Sequence, residues 1–269
     1  MFLTRPDGER IRDLSRMRKF MPFISPRRND ALVLYQTEIE LDNANAFLEE
    51  LNARRPQDGQ VTLFHLYLRS VAMAIHERPG VNRFVAGSRL WQRNHVAITF
   101  SAKQELLDGA PLVTVKRIFP ARETLEGMVD SILENLRSRR RGRENRSDKE
   151  MKLALEFPPF LVKTGLWLLD KANYFNLLTK KMIDDDPLFT SLFIANLGSV
   201  GLAAGYHHLW EYGTCSVFAV MGRLKERHDG AVVFEIQYSY DERMEDGLYG
   251  GLAMEKIKQQ IESPESLRN

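Results

Sequence analysis

The period of the apolar residues changes several times along the chain, and each change marks an element. Leu32 to Leu41 begins apolar and ends in near alternation, which predicts a strand with one face buried. Asp42 then caps a helix predicted to run through Leu51 and to end before Pro56. From Thr62 to about Arg78, Leu63, Leu66, Val71, Ala74 and Ile75 mostly recur at helical spacing, so a helix is predicted with Thr62 as N-cap and a stop at Pro79-Gly80. Arg83 to Ala86 and Leu90 to Gln92 flank Gly87-Ser88 as a hairpin, and Val96 to Phe100 and Leu112 to Val115 predict strands on either side of an Asp108-Gly109 turn. A helix follows from Thr124 to Arg137, then a mainly helical stretch from Met151 to Ile183 closed by Asp184-Asp185-Asp186-Pro187. The last third returns to strands, Leu192 to Leu197, Ser216 to Met221 and Val232 to Tyr240, before a final helix over about Tyr249 to Ile261.

The segment ahead of these elements, residues 1–29, is rich in Arg and Pro and reads as an N-terminal arm or a short helix rather than core. Residues 30–269 form one domain, with a mainly helical insertion at about 150–188. The longest apolar-leaning stretch, Phe157 to Leu178, is interrupted by Pro158, Pro159, Lys163, Asp170 and Lys171, so no membrane association is expected. The 269 residues are 43% hydrophobic and 28% charged, the balance of a globular chain with a sizeable core. Lys and Arg total 38 against 36 Asp and Glu, so a net charge of +2 supplies no global field for nucleic acid, and any basic partner surface has to be local. The single cysteine, Cys215, cannot form an intramolecular disulfide and the N-terminus lacks an apolar signal region, so a cytoplasmic location is expected.

The informative segment is Asp241-Glu242-Arg243-Met244-Glu245-Asp246-Gly247, between the last strand and the last helix. Taken alone it is a charged turn with ion pairs. Three further segments accompany it in order: Ser15-Arg16-Met17-Arg18-Lys19, the threonine-capped helix running into Pro79-Gly80-Val81-Asn82, and Leu192-Phe193-Ile194-Ala195-Asn196-Leu197-Gly198. Together these resemble the catalytic domain of the dihydrolipoyl acyltransferases of 2-oxo-acid dehydrogenase complexes, which share the chloramphenicol acetyltransferase fold. The resemblance covers nearly the whole chain. It implies an α/β (α+β) domain, a mixed sheet with flanking helices, assembled as a homotrimer with channels between subunits and open to larger assembly. It also implies coenzyme A or an acyl-CoA as ligand. No lipoyl group or lipoyl module is present, so the chain is expected to be a stand-alone, divergent relative.

Two departures bear on the chemistry. The family carries Asp-His-Arg in its late turn, with the histidine as general base that takes the proton of an attacking thiol; here Glu242 stands in that place. A thiol near pKa ~8.5 is matched by an imidazole near ~6.5, whereas a carboxylate near ~4.3 is weaker by about two units, or roughly 3 kcal/mol of driving force. The family's serine, which donates to the tetrahedral oxyanion, is Ala195 here, and loss of one such donor costs on the order of 100-fold in other enzymes. Asp246, Arg243, Asp241 and Gly247 match the turn, and Asn196 and Gly198 match the strand end; the resemblance makes Asp246 an orienting group or an ion-pair partner of Arg16 or Arg18.

His207 and His208 lie in the loop after the Asn196-Leu197-Gly198 turn and are candidate substitute bases, although neighbours on an extended chain face opposite sides. With Glu211 they offer nitrogen and oxygen ligands, but no second cluster at metal spacing accompanies them and no metal is expected. Cys215 reads as a small buried residue. Arg137 to Arg146 is a basic helix end, with docking of a phosphate or an acidic partner as its sharper reading. Trp167, Tyr174 and Phe175 of the insertion point to packing or a subunit contact. Two functions follow: a pseudoenzyme that has lost histidine-dependent acyl transfer and serves binding or assembly, or an active CoA-dependent acyltransferase using Glu242, His207 or His208 as base.

Overall fold

The computed structural model describes residues 4–103, 112–140 and 152–268. Six strands form one mixed sheet in the order β2 (Leu32–Glu40), β9 (Val232–Asp241), β8 (Val217–Glu226), β7 (Leu192–Asn196), β5 (Ala97–Lys103), β6 (Leu112–Ile118). β7 runs parallel to both β5 and β8, and the remaining pairs are antiparallel. A parallel central strand needs cover on both faces, and Leu192, Phe193 and Ile194 are buried in an unbroken apolar run.

One face of the sheet is covered by α3 (Leu63–Glu77), α4 (Leu125–Arg140) and α7 (Gly247–Glu262). Ile39, Ile98, Phe100, Ile194, Ala219 and Ile236 meet Leu66, Val71, Met128 and Ile257 in that layer. At the start of α3 Thr62 N donates to Nδ1 of His65 (3.1 Å), a histidine version of the capping box. α2 (Asp42–Asn52) packs at the edge; Asp42 is its first helical residue rather than the expected cap.

A smaller sheet, β1 (Gly8–Arg10), β4 (Arg89–Arg93), β3 (Arg83–Ala86), takes in part of the N-terminal segment, which also holds the short helix expected there as the alternative to an arm. Gly8 pairs with Arg93, and Arg5 is 7% exposed, bonded to Asp7 at 2.8 Å and to the Asn173 side chain at 3.0 Å. Its guanidinium lies over Phe84, and that of Arg93 does so from another side. α1 (Arg16–Ile24) follows, capped by Ser15. The β3–β4 turn has positive φ at Gly87 (60°) and Ser88 (55°), the left-handed pair that a two-residue hairpin requires. A Cβ on Gly87 would meet the Tyr174 carbonyl oxygen at 2.4 Å, so glycine is demanded twice there.

The insertion contains a short helical stretch over 152–155, α5 (Pro159–Tyr174) and α6 (Lys180–Asp185). α5 has no buried residue; near its C-terminal end Leu169 and Ala172 pack against Leu178, Ile183 and Phe189, and the Asn173 side chain accepts from Arg5. No helix among the described residues is long and apolar enough to cross a membrane. The Asp108-Gly109 turn lies outside the described residues, as do Arg141, Arg143 and Arg146. Arg137 is engaged by Asp58 (2.5 Å), so this part of the basic run already has an acidic partner in the chain.

Burial drives the His65 pKa down to about 4, with Arg55 adding to the effect. Because the folded value lies below the unfolded ~6.5, the unfolded chain binds the extra proton, and stability falls as pH drops through that window. We expect urea unfolding to show a loss of about 2 kcal/mol between pH 7 and 5 from this group. His65→Gln, which keeps a capping acceptor, should flatten that dependence; an unchanged slope would refute the assignment.

Candidate functional site

The turn after β9 is built from the inside outwards. Asp241 ends the strand with no exposed surface, and Arg243 folds back on it with Nε to Oδ1 at 2.8 Å and Nη2 to Oδ2 at 2.7 Å. The remaining guanidinium nitrogen, Nη1, donates to the carbonyls of Ser25 and Pro26 at 3.1 and 2.8 Å. A fork of this kind satisfies both charges without water. Glu242 sits between the two and is fixed by its backbone: its N–H donates to the Ala31 carbonyl at 2.9 Å and its carbonyl accepts from Arg18 Nη1. Its half-buried carboxylate has no hydrogen-bond or ion-pair partner among the described residues. Glu245 pairs with Arg83.

Asp246 caps α7, accepting from Tyr249 N at 2.8 Å, and Gly247 is the first residue of that helix. The ion pair expected between Asp246 and Arg16 or Arg18 does not occur among the described residues; Arg18 reaches the Glu242 carbonyl instead. Tyr240 is buried beneath the turn. Burial first, then the negative charges of Glu242 and Asp246, push its phenol pKa up.

Ala195 belongs to a different place. It lies on the second face of the sheet, packed with Phe193, Phe218, Val220 and Trp210. Asn196 turns the chain, its Oδ1 accepting from Ser199 N at 3.1 Å. Gly198 follows because a Cβ there would meet the Gly222 carbonyl oxygen at 2.3 Å. Strand register separates this patch from Glu242. Tyr240, Val217 and Leu192 share a row; Glu242 lies two residues past it and Ala195 three residues the other way, two strands over, so their Cα atoms are roughly 20 Å apart. Within one chain they cannot serve one reacting carbonyl.

His207 shares the face with Ala195 and not the turn with Glu242. Its ring stacks on Phe218 (centroids 4.0 Å, 11°) and on His208 (4.4 Å). Its Nδ1 lies 2.6 Å from the His208 carbonyl oxygen, and burial followed by the neighbouring imidazole lowers its pKa despite that bond. His208 is exposed. Glu211, the oxygen ligand of the metal alternative, is occupied: it accepts from Arg28 N (3.0 Å), Asn29 N (3.2 Å) and Asn29 Nδ2 (2.8 Å). Burial opposes ionisation of Glu211, but these donors outweigh it and hold its pKa low. No group of three or more histidine, cysteine or acidic side chains suited to a metal occurs among the described residues. Cys215 is buried, its thiol pushed up to about 11 by burial and donating to the Val217 carbonyl at 3.1 Å, so it is packing and not a nucleophile.

Sequence reasoning missed the clamp that fixes the histidine loop. Arg28 Nη1 reaches the carbonyls of Trp210 (2.7 Å) and Glu211 (2.6 Å), and its Nη2 that of Gly213 (2.6 Å). Nothing in the sequence singled Arg28 out from the other arginines of its segment.

No family model and no curated protein matches the sequence. Solved structures do match. Dihydrolipoamide acetyltransferase of Azotobacter vinelandii, studied for the role of a serine, a histidine and an asparagine in its catalytic mechanism, superposes with a TM-score of 0.61 at 15% identity, covering 96% of this chain and 94% of that one. The cubic core of a pyruvate dehydrogenase multienzyme complex gives 0.59 at 14%, over 96% and 94%. A chloramphenicol acetyltransferase gives 0.57 at 13%, over 94% and 99%. The chain therefore has the chloramphenicol acetyltransferase-like fold shared by dihydrolipoamide acetyltransferase catalytic domains.

The buried fork predicts a large stability effect. Asp241→Asn leaves the Arg243 guanidinium buried without its counter-charge and turns one of its two acceptor oxygens into an NH2 group, and denaturant unfolding should show a loss of roughly 3 kcal/mol or more. A loss below about 1 kcal/mol, the range of an exposed pair, would refute its central role.

Proposed function

We propose that this chain is an acyltransferase-fold protein that does not carry out histidine-dependent acyl transfer and acts instead as a binding or assembly subunit. The observation that carries this reading is the turn itself: the backbone scaffold of Asp241, Arg243 and Arg18 is complete, yet the side chain it presents is the carboxylate of Glu242. An acyl transfer from a thioester to a thiol needs an acceptor for the thiol proton. A carboxylate is intrinsically a weaker base than an imidazole, and its charge opposes a thiolate forming beside it. Ala195 offers a methyl where a hydrogen-bond donor to an oxyanion is required.

Coenzyme A or an acyl-CoA is the ligand class we carry over from the resemblance. The apolar patch around Ala195, with Phe193, Val220 and Trp210, suits an acyl chain better than an oxyanion. Self-association, as a homotrimer, is part of the proposal. It is supported by apolar side chains that a single chain leaves uncovered: Met17, Phe20 and Phe23 on α1, and Phe160, Trp167 and Leu168 on α5. A cytoplasmic location fits the lone buried thiol of Cys215.

A second reading, an active CoA-dependent acyltransferase, draws on the unpartnered carboxylate of Glu242, which is available as an acceptor. His207 and His208 contribute less to it, being stacked on each other and on Phe218 rather than beside the turn. Thioester release from a panel of acyl-CoAs separates the two. We expect no turnover by the natural sequence and a gain only in the Glu242→His, Ala195→Ser double variant. Turnover that Glu242→Gln abolishes would overturn the proposal in favour of Glu242 as base. A hydrodynamic mass of one chain would remove the assembly component.

A further inference from the structure

A cleft of about 780 Å³ opens between α1, β1, β4 and the Gly87-Ser88 turn, with the Tyr174 ring at its rim. Arg10, Arg12, Arg18, Lys19 and Arg89 line it, and no Asp or Glu does. Several cations elsewhere on the surface are paired, Arg27 with Asp30, Arg227 with Asp229 and Glu40, Lys225 with Glu38 and Glu235, and what sets the cleft apart is the gathering of five cations on one concave wall with no acid in its lining. Arg10, Arg12, Arg18 and Lys19 form no ion pair among the described residues. The nearest acids in sequence, Glu9 and Asp13, do not line the cleft.

Like charges gathered without counter-charge repel one another and weaken the folded state, and a concave wall concentrates their field. The walls are also held in place independently of any ligand. β1 is fixed to β4 by main-chain pairing, α1 is capped by Ser15 and tied to the far turn by Arg18, and the hairpin turn is locked in the left-handed region against the Tyr174 carbonyl. The hydroxyl-bearing residue Ser88 and the aromatic rings of Phe23 and Tyr174 complete the lining. Guanidinium forks match phosphate oxygens in pairs, and several forks converging on one volume match several phosphates.

We propose that this cleft binds a small, multiply phosphorylated ligand. The site is formed within one chain and does not depend on acyl transfer. Arg10, Arg12 and Lys19 grip the phosphates, and Phe23 and Tyr174 flank whatever the phosphates are attached to.

The test is titration calorimetry of the full chain with tripolyphosphate and, in parallel, with ATP, at low and at raised ionic strength. Binding is expected to weaken with salt, and the Arg10→Gln, Arg12→Gln double variant to weaken it about tenfold per guanidinium removed. In the absence of ligand the same variant should unfold at the same or a higher temperature than the natural sequence, because repulsion is relieved; a purely structural role for these arginines predicts a lower one. Arg54→Gln, on the surface away from the cleft, is the control. Tighter binding of ATP than of tripolyphosphate identifies a nucleotide, and equal binding identifies the phosphates alone; both support the proposal. No binding of either probe, or binding equally reduced by Arg54→Gln, would overturn it.

Discussion

The buried fork between Asp241 and Arg243 is the contact from which the arrangement of the candidate site follows. Two opposite charges taken out of water are tolerated only when their hydrogen bonds are satisfied, and here the carboxylate accepts two bonds from the guanidinium while Nη1 takes the carbonyls of Ser25 and Pro26. That geometry ties the C-terminal end of β9 to the chain between α1 and β2. It leaves Glu242 no freedom of backbone, and Ala31 and Arg18 then fix its N–H and carbonyl.

The same device recurs on the other side of the segment. Arg28 spends its guanidinium on three carbonyls of the 210–213 loop, and Asn29 and Glu211 close the clamp. Both locks grip the stretch between Ser25 and Ala31, one towards the turn that carries Glu242 and one towards the loop that carries His207. The stretch from Ser25 to Ala31 is therefore a structural seam of the domain. The distance between Glu242 and Ala195 gives this seam a functional meaning in the proposal: it keeps the turn in the posture of an acyltransferase while the side chains presented have changed.

Two helices among the described residues present clusters of large apolar side chains to solvent. α5 is exposed over most of its length, with Trp167 and Phe160 outward, and α1 presents Met17, Phe20 and Phe23. The basic cleft opens along the same helix and shares Phe23 with that apolar face. Apolar contact and anion binding thus sit on neighbouring surfaces of one short helix.

Local pattern was enough to read most elements from the chain: alternation marked β2, helical spacing marked α3, and Pro79-Gly80 and Gly87-Ser88 marked their ends, because period, capping and turn preferences act over a few residues. The order of four short segments was enough to indicate the fold. What the chain alone did not reveal depends on partners far apart in it. Arg18 meets Glu242 across 224 residues and Arg28 meets Glu211 across 183, and no local rule selects these arginines from their neighbours. Nor could the motif say that Ala195 and Glu242, which the resemblance joins in one reaction, lie at opposite ends of the sheet. The sequence by itself determined the elements and the chemical types on offer; only tertiary structure decided which of them meet, because burial and strand register are properties of the whole assembled sheet.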